Sequence, residues 1–234
     1  MAKRLFDVIA SALALVVLLP VIVLAWLAVR LTSSGPAIYK AQRAGRDGVV
    51  FTMHKFRTMR IDSEPGSVIT GASDSRVFLA GRILRALKID ELPQLYDVLI
   101  GKMSIVGPRP EDPRIVEQYY SRLVRRTLEV APGLASPGSI YNYTHGHLYL
   151  DDHDPEQSYV RKLLPTKLAL ELVYMRRASM WYDLTVILKT AVTILLIGLG
   201  KRQFAEPPEI FEARKLMENA DTPLVQITLP SERS

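Results

Sequence analysis

The chain has 234 residues, no cysteine, 48% hydrophobic and 23% charged residues, and a formal net charge of +6. That balance excludes a disordered or low-complexity chain. Zero cysteines exclude a disulfide scaffold, a thiol nucleophile, iron–sulfur ligation and cysteine-held zinc. Neither bulk figure is evenly spread. Between positions 8 and 29, 20 of 22 residues are apolar, and only Ser11 and Pro20 interrupt. Residues 30–60 carry seven Lys and Arg against one Asp, so the net charge sits directly behind the apolar segment.

An apolar stretch of that length, at about 1.5 Å per residue, is long enough to cross a hydrocarbon core. It is longer than a signal-peptide core and no small-residue cleavage site follows, so a retained membrane anchor is the expectation. Lys3 and Arg4 precede it, and Arg30, Lys40, Arg43 and Arg46 follow it. Positive charge on both flanks gives no orientation by the positive-inside rule. Pro20 lies near the middle, where it removes one backbone hydrogen bond and crowds the preceding turn. A helix bent there enters and leaves on one side, with both basic flanks at an anionic leaflet. A single span containing a proline satisfies the same pattern.

Ser33-Ser34-Gly35-Pro36 is a turn that ends the membrane helix. Residues 37–42 and 49–58 read as short strands joined at Asp47-Gly48. Residues 61–75 read as a loop. Residues 76–88 have helical spacing that aligns Arg82, Arg85 and Lys88, and a second helix over 90–100 carries Pro93 in its first turn. Gly107-Pro108-Arg109-Pro110 is extended, because each proline disfavours helix before it. Helices are expected over 113–129 and 159–179, joined by a loop that holds Pro132-Gly133, Ser136-Pro137-Gly138 and a His/Asp patch. Residues 181–199 are apolar but contain Asp183 and Lys189, which suits an in-plane amphipathic helix with Trp181 and Tyr182 at the interface; packing in the soluble core is the alternative. The polar tail has one short helix after Pro207-Pro208.

Asp90-Glu91 is the carboxylate pair with the most chemical promise. It falls where one predicted helix stops and the next begins, with Arg85 and Lys88 approaching from the preceding turn. A carboxylate beside cations can accept a phosphoryl group as a nucleophile, and its neighbour can hold a divalent cation. Plain helix capping is the competing reading. Lys55, Arg57 and Arg109 are further candidate phosphate contacts, and Arg109 is stiffened by the prolines beside it. The patch of His145, His147 and His153 with Asp151, Asp152 and Asp154 matches no helical metal-ligand spacing and reads as a solvated loop. No Walker or dinucleotide-type glycine pattern occurs.

In this order and spacing the segments resemble one family. They are Lys3-Arg4-Leu5-Phe6-Asp7, Ser34-Gly35-Pro36, Gln42-Arg43 with Gly45 and Gly48, Lys55-Phe56-Arg57-Thr58-Met59, Asp90-Glu91-Leu92-Pro93-Gln94-Leu95, Ser104-Ile105-Val106-Gly107-Pro108-Arg109-Pro110, and Tyr174, Ser179 and Asp183-Leu184. The chain resembles the bacterial sugar transferases of the monotopic polyprenyl-phosphate phosphoglycosyl transferase type. The resemblance implies an α/β fold, mostly helical with a small β-hairpin or sheet, and a re-entrant N-terminal membrane helix over residues 1–32. It further implies a catalytic domain over 33–200 with in-plane amphipathic helices, leaving 201–234 as an extension of no assigned role.

The implied activity moves a sugar-1-phosphate from a UDP-sugar donor to undecaprenyl phosphate and releases UMP, the first membrane step of surface-glycan synthesis. By the same resemblance Asp90 is the nucleophile and forms a phosphosugar-aspartyl intermediate. Glu91, with Asp90, holds Mg²⁺, and Lys55, Arg57, Arg85 and Arg109 contact phosphate. The implied setting is the cytoplasmic face of the bacterial inner membrane, among phospholipid and without nucleic acid, and a homodimer is compatible with it. A catalytically inactive membrane scaffold is the rival function. Three positions depart from the usual family pattern: Leu19-Pro20 stands for Ser-Pro at the membrane break, Leu134-Ala135-Ser136-Pro137-Gly138 replaces a glycine-rich stretch, and Glu171 stands for an aspartate.

Overall fold

The computed structural model describes residues 2–61, 74–151, 153–220 and 223–226. The chain is mostly helical with two small sheets, an α/β arrangement as expected. The predicted loop at 61–75 lies, from 62 to 73, outside the described residues.

The apolar segment forms two helices. α1 (Ala2–Val17) and α2 (Leu19–Thr32) are bent by 63° where they meet at Leu18. Pro20 sits in the first turn of α2, where its missing N–H leaves no gap, while its ring cannot continue the helix before it. The bend therefore forms without a serine before the proline.

Both ends of the bent pair are tied to one domain. At the start, Lys3 pairs with Asp183 at 2.5 Å, and Arg4 donates to the Val98 and Leu99 carbonyls at 2.6 and 2.7 Å. Buried Asp7 accepts from Ser104 Oγ and the Ile105 amide at 2.9 and 3.0 Å. At the end, Arg30 donates to Gly35 O at 2.9 Å, and Arg57 donates to Ser33 Oγ and Pro36 O at 2.6 and 2.7 Å. Between those ties Ile9, Leu13, Val16, Val17, Leu24 and Leu31 are exposed.

β1 (Ile38–Ala44) and β2 (Val50–Phe56) form the expected antiparallel hairpin, in register from Ile38 opposite Phe56 to Ala44 opposite Val50. α3 (Leu79–Ala86) is shorter than predicted, because Phe78 is extended and Lys88 takes a left-handed backbone at φ 56°. The predicted 90–100 helix is divided into a 3₁₀ turn, Ile89–Glu91, and α4 (Gln94–Leu99), whose last carbonyls Arg4 caps.

β3 (Ser104–Val106) is followed by α5 (Pro113–Tyr119), also shorter than predicted. The tail ends it: Tyr120 bridges to Val225, the Gln226 amide donates to Tyr119 O at 2.8 Å, and the Ser121 amide to Leu224 O at 3.3 Å. The stretch read as a loop holds β4 (Gly133–Ala135), α6 (Pro137–His145) and α7 (Pro155–Ser158). β4 runs parallel to β3, so close that a Cβ on Gly133 would stand 2.1 Å from Gly107 N. Only glycine fits there.

α8 (Leu164–Arg177) is the spine of the largest core cluster. Leu164, Leu168, Ala169, Leu170 and Val173 are buried, and α10 (Ile210–Glu218) packs beside it through Ile210, Ala213 and Leu216. α9 (Met180–Gly198) is long and apolar enough to cross a membrane by length and composition. Its charges are used inside the domain: Asp183 on Lys3 and Tyr174, Lys189 on Glu209 at 3.0 Å. Trp181, Leu188, Leu195 and Leu199 remain exposed.

Candidate active site

Three pieces of backbone bring charge to one place. The first is the end of β2, where Lys55 stands opposite Tyr39 with Nζ 5.4 Å from that ring. The second is the turn after α3. α3 lies against Thr58 so closely that a Cβ on Gly81 would stand 2.3 Å from Thr58 O. One helical turn on, Arg85 Nε donates to Thr58 Oγ1 at 2.7 Å. Lys88 then reverses the backbone, and Asp90 and Glu91 follow in the 3₁₀ turn. The third is the extended stretch after β3, which delivers Arg109.

Glu91 is gripped at both oxygens. Arg109 Nη2 lies 2.8 Å from Oε1, and the Tyr143 hydroxyl donates to Oε2 at 3.2 Å. Burial works against its charge, but Arg109, Lys88 and Lys55 outweigh it and hold the carboxyl below the usual glutamate range. Asp90 is 8% exposed, and its Oδ1 has no hydrogen-bond partner. Burial, and then the Glu91 charge, push its pKa up to about 6, against the opposing fields of Lys88, Lys55 and Arg85. Neither carboxylate caps a helix. The capping alternative is not realised.

The cations are equally perturbed. Burial, with Arg43 next, lowers Lys55 to about 8. Burial lowers Lys88 and Arg85 as well, while Glu91 more than offsets burial for Arg109 and raises it. Arg109 is fixed further by Leu134 O at 3.1 Å and Gln94 Oε1 at 3.4 Å. Its amide donates to Glu171 Oε1 at 3.3 Å, an atom that also accepts from Ser136 Oγ at 2.7 Å. Glu171 is 1% exposed, and burial raises its carboxyl to about 7.

Of the residues singled out in the sequence, Asp90, Glu91, Lys55, Arg85 and Arg109 are brought together. Arg57 is not. Its guanidinium is buried against the turn after α2, bonded to Ser33, Pro36 and Met59. The residues that sequence reasoning left out of the site are Tyr143 and Gln94; Lys88, expected beside the carboxylates, is there. Gln94 stands in the motif that carries the pair, whereas Tyr143 carried no signal. In the His/Asp patch, His145 stacks on Tyr141 with centroids 4.7 Å apart, and Asp151 accepts from the His153 amide at 2.9 Å; Asp152 lies outside the described residues. A cavity of about 700 Å³ lies elsewhere, between Lys3, Ser104, Tyr174 and Asp183, and neither Asp90 nor Glu91 lines it.

A buried carboxylate with a free oxygen, ringed by cations, is suited to attack on a phosphorus and to binding the charges around it. Residues 1–196 match the bacterial sugar transferase family. Over 196 residues the chain is 35% identical to a UDP-glucose:undecaprenyl-phosphate glucose-1-phosphate transferase of Caulobacter vibrioides, covering 82% of this chain and 69% of that one. A protein of the same description from Xanthomonas campestris pv. campestris is 34% identical over 199 residues, 83% of this chain and 39% of that one. A UDP-N-acetylgalactosamine-undecaprenyl-phosphate N-acetylgalactosaminephosphotransferase of Aeromonas hydrophila is 32% identical over 209 residues, 86% and 45% of the two chains. The chain thus spans less than half the length of the latter two relatives. It belongs to the bacterial sugar transferase family, a family of transferase enzymes.

Proposed function

We propose that the chain transfers a sugar-1-phosphate from a UDP-sugar to undecaprenyl phosphate. The observation that carries this is Asp90: buried, with an unpartnered oxygen, and within the fields of three cations. The carboxylate attacks the β-phosphorus of the donor. An aspartyl O–P bond forms, the bridging P–O bond breaks, and UMP leaves with the bridging oxygen. A phosphate oxygen of undecaprenyl phosphate then attacks the same phosphorus and displaces Asp90. No proton need move in the first step, because the nucleophile is already ionised and the leaving group departs as a phosphate. Lys55 and Arg85 neutralise the charge spread over the phosphoryl oxygens. Arg109 holds Glu91 and faces the same space.

Asp90 and Glu91 fit Mg²⁺, which is commonly held by one or two carboxylates with substrate phosphate and water completing its shell. The donor set supports that reading, since each Glu91 oxygen keeps a lone pair beyond its contact with Arg109 or Tyr143. Among the described residues no group of three or more His, Cys, Asp and Glu is arranged for a metal, so the remaining ligands would come from the substrate. Bound there, the ion would neutralise diphosphate charge.

The bent α1–α2 pair is read as re-entrant, since its start and end dock on one domain through Lys3, Arg4, Asp7, Arg30 and Arg57. Leu79 and Ile83 of α3 and Leu188 and Leu195 of α9 are exposed apolar side chains, which supports contact of these helices with the membrane surface. On this reading the site works at the cytoplasmic face of the bacterial inner membrane, beside anionic phospholipid. An inactive scaffold has no use for so costly a cluster of buried charge.

The test is purified protein with Mg²⁺, undecaprenyl phosphate and a panel of UDP-sugars that includes glucose and N-acetylgalactosamine donors. UMP release with one donor, abolished by Asp90→Asn, is expected. No release with any donor, or undiminished release by Asp90→Asn, overturns the assignment.

A further inference from the structure

Lys88 is the one cation of the cluster that the reaction above does not use. We infer that Lys88 is a donor-binding residue whose ammonium, seated on the ring of Tyr143, grips the phosphate that Asp90 attacks. This deepens the proposed function and rests on it.

The two arginines of the cluster are already engaged, while Lys55, like Lys88, has an aromatic ring beneath it, that of Tyr39 at 5.4 Å. Arg109 is bound to Glu91, Leu134 and Gln94, and Arg85 to Thr58. Lys88 Nζ lies 3.9 Å from the Tyr143 ring centroid and makes no ion pair or hydrogen bond among the described residues. A π face satisfies the charge of an ammonium but accepts none of its N–H groups in the manner of an oxygen. Three donors are therefore left for a ligand beside the nucleophile. Of the cations whose fields reach Asp90, Lys88's is the largest. The ligand that fits is an oxyanion, and the phosphate that must approach Asp90 first belongs to the donor.

The backbone supports this placement. Lys88 is one of two non-glycine residues with positive φ among those described, at a cost of about 1 kcal/mol that glycine would avoid. A lysine kept there returns its side chain toward the carboxylates two and three positions on. Tyr143 serves as a positioning residue for both sides of the site, since its ring carries Lys88 and its hydroxyl binds Glu91. An ammonium, with rotatable donors on a flexible stem, can follow a phosphoryl group as its bonds change, whereas the Arg109 fork is fixed.

The first half-reaction isolates the donor: without undecaprenyl phosphate, the unmodified protein releases one burst of UMP per site. Lys88→Met keeps the approximate length of the side chain and the backbone strain, and removes the ammonium with its charge and its three donors. It should raise the donor concentration for half-maximal burst rate by about 10-fold or more, the scale of a charge-assisted hydrogen bond. Lys88→Arg should restore most of that loss. The KM for undecaprenyl phosphate in full turnover should stay within about two-fold, and UDP titrated onto Lys88→Met should bind more weakly by a factor like that in the burst. A burst and a UDP affinity in Lys88→Met within about two-fold of the unmodified protein overturn the assignment, as does a defect confined to the acceptor. No burst from the unmodified protein overturns the covalent first step on which the inference rests, an outcome distinct from any behaviour of Lys88 variants.

Discussion

Arg109 reaches from the stretch after β3 to Glu91, Nη2 to Oε1 at 2.8 Å, with both side chains largely withdrawn from water. The pair ties the stretch after β3 to the turn that carries the dyad and fixes the carboxylate next to the nucleophile. Such a buried pair is worth less than its geometry suggests until one partner is lost.

Arg109→Met leaves Glu91 buried without its principal counter-charge. We expect a stability loss of about 3–5 kcal/mol, read as a fall in melting temperature in detergent. UMP release should drop by about 100-fold or more, and Arg109→Lys, which cannot reach Glu91, Leu134 and Gln94 together, should recover little.

The raised pKa of Asp90 has two consequences. The carboxylate is the attacking form, so kcat/KM for the donor should fall as pH drops through about 6. Folded Asp90 also keeps its proton to higher pH than the unfolded chain, whose aspartates titrate near about 3.9. Its contribution to stability is therefore present below that lower value and lost as pH rises through 6. Asp90→Asn, which cannot ionise, should be more stable than the unmodified protein at pH 8 by about 1–3 kcal/mol, a gap that closes toward pH 4. Thermal melts across that range check it.

Arg57 is placed to hold the end of α2, and its loss should show in stability rather than in substrate binding. Arg57→Met strands the Ser33 and Pro36 acceptors and should cost about 2–3 kcal/mol. At temperatures where the variant stays folded, the donor KM should remain within about two-fold of the unmodified protein. A large rise in donor KM without a change in melting temperature would return Arg57 to the phosphate contacts.

Because the chain has no cysteine, each of Ala2→Cys and Ser34→Cys would carry a single thiol, at opposite ends of the bent pair. A re-entrant pair predicts that a membrane-impermeant maleimide labels both in inside-out vesicles and neither in intact spheroplasts. Labelling of the two from opposite sides means a span.

Much of this site is written locally. Asp90 and Glu91 stand out because an acidic pair follows a basic helix-forming stretch and opens an apolar one, and Arg109 because prolines stiffen its neighbours. Lys55 and Arg57 look equivalent by the strand period of two, yet they part company because β2 ends at Phe56 and the chain turns toward Ala37 and Ser33. Tyr143 is 52 positions from Glu91, in a stretch dense enough in glycine and proline to read as a loop. The Ser136-Pro137 start of α6 was there to be seen, as a side-chain cap followed by a first-turn proline. The shortening of α5 was not, because it depends on a tail that pairs with Tyr120 from more than a hundred residues away. Helical spacing records what a segment would do alone; it is silent about a competing partner.

The covalent role of Asp90 is tested most directly by mixing the protein with the accepted UDP-sugar and Mg²⁺ in the absence of undecaprenyl phosphate, quenching, and measuring intact and peptide masses. The predicted result is an added sugar-phosphate on the peptide containing Asp90, with one equivalent of UMP released, and no added mass on Asp90→Asn. UMP release that requires undecaprenyl phosphate, with no mass added to Asp90 at any time point, would contradict it.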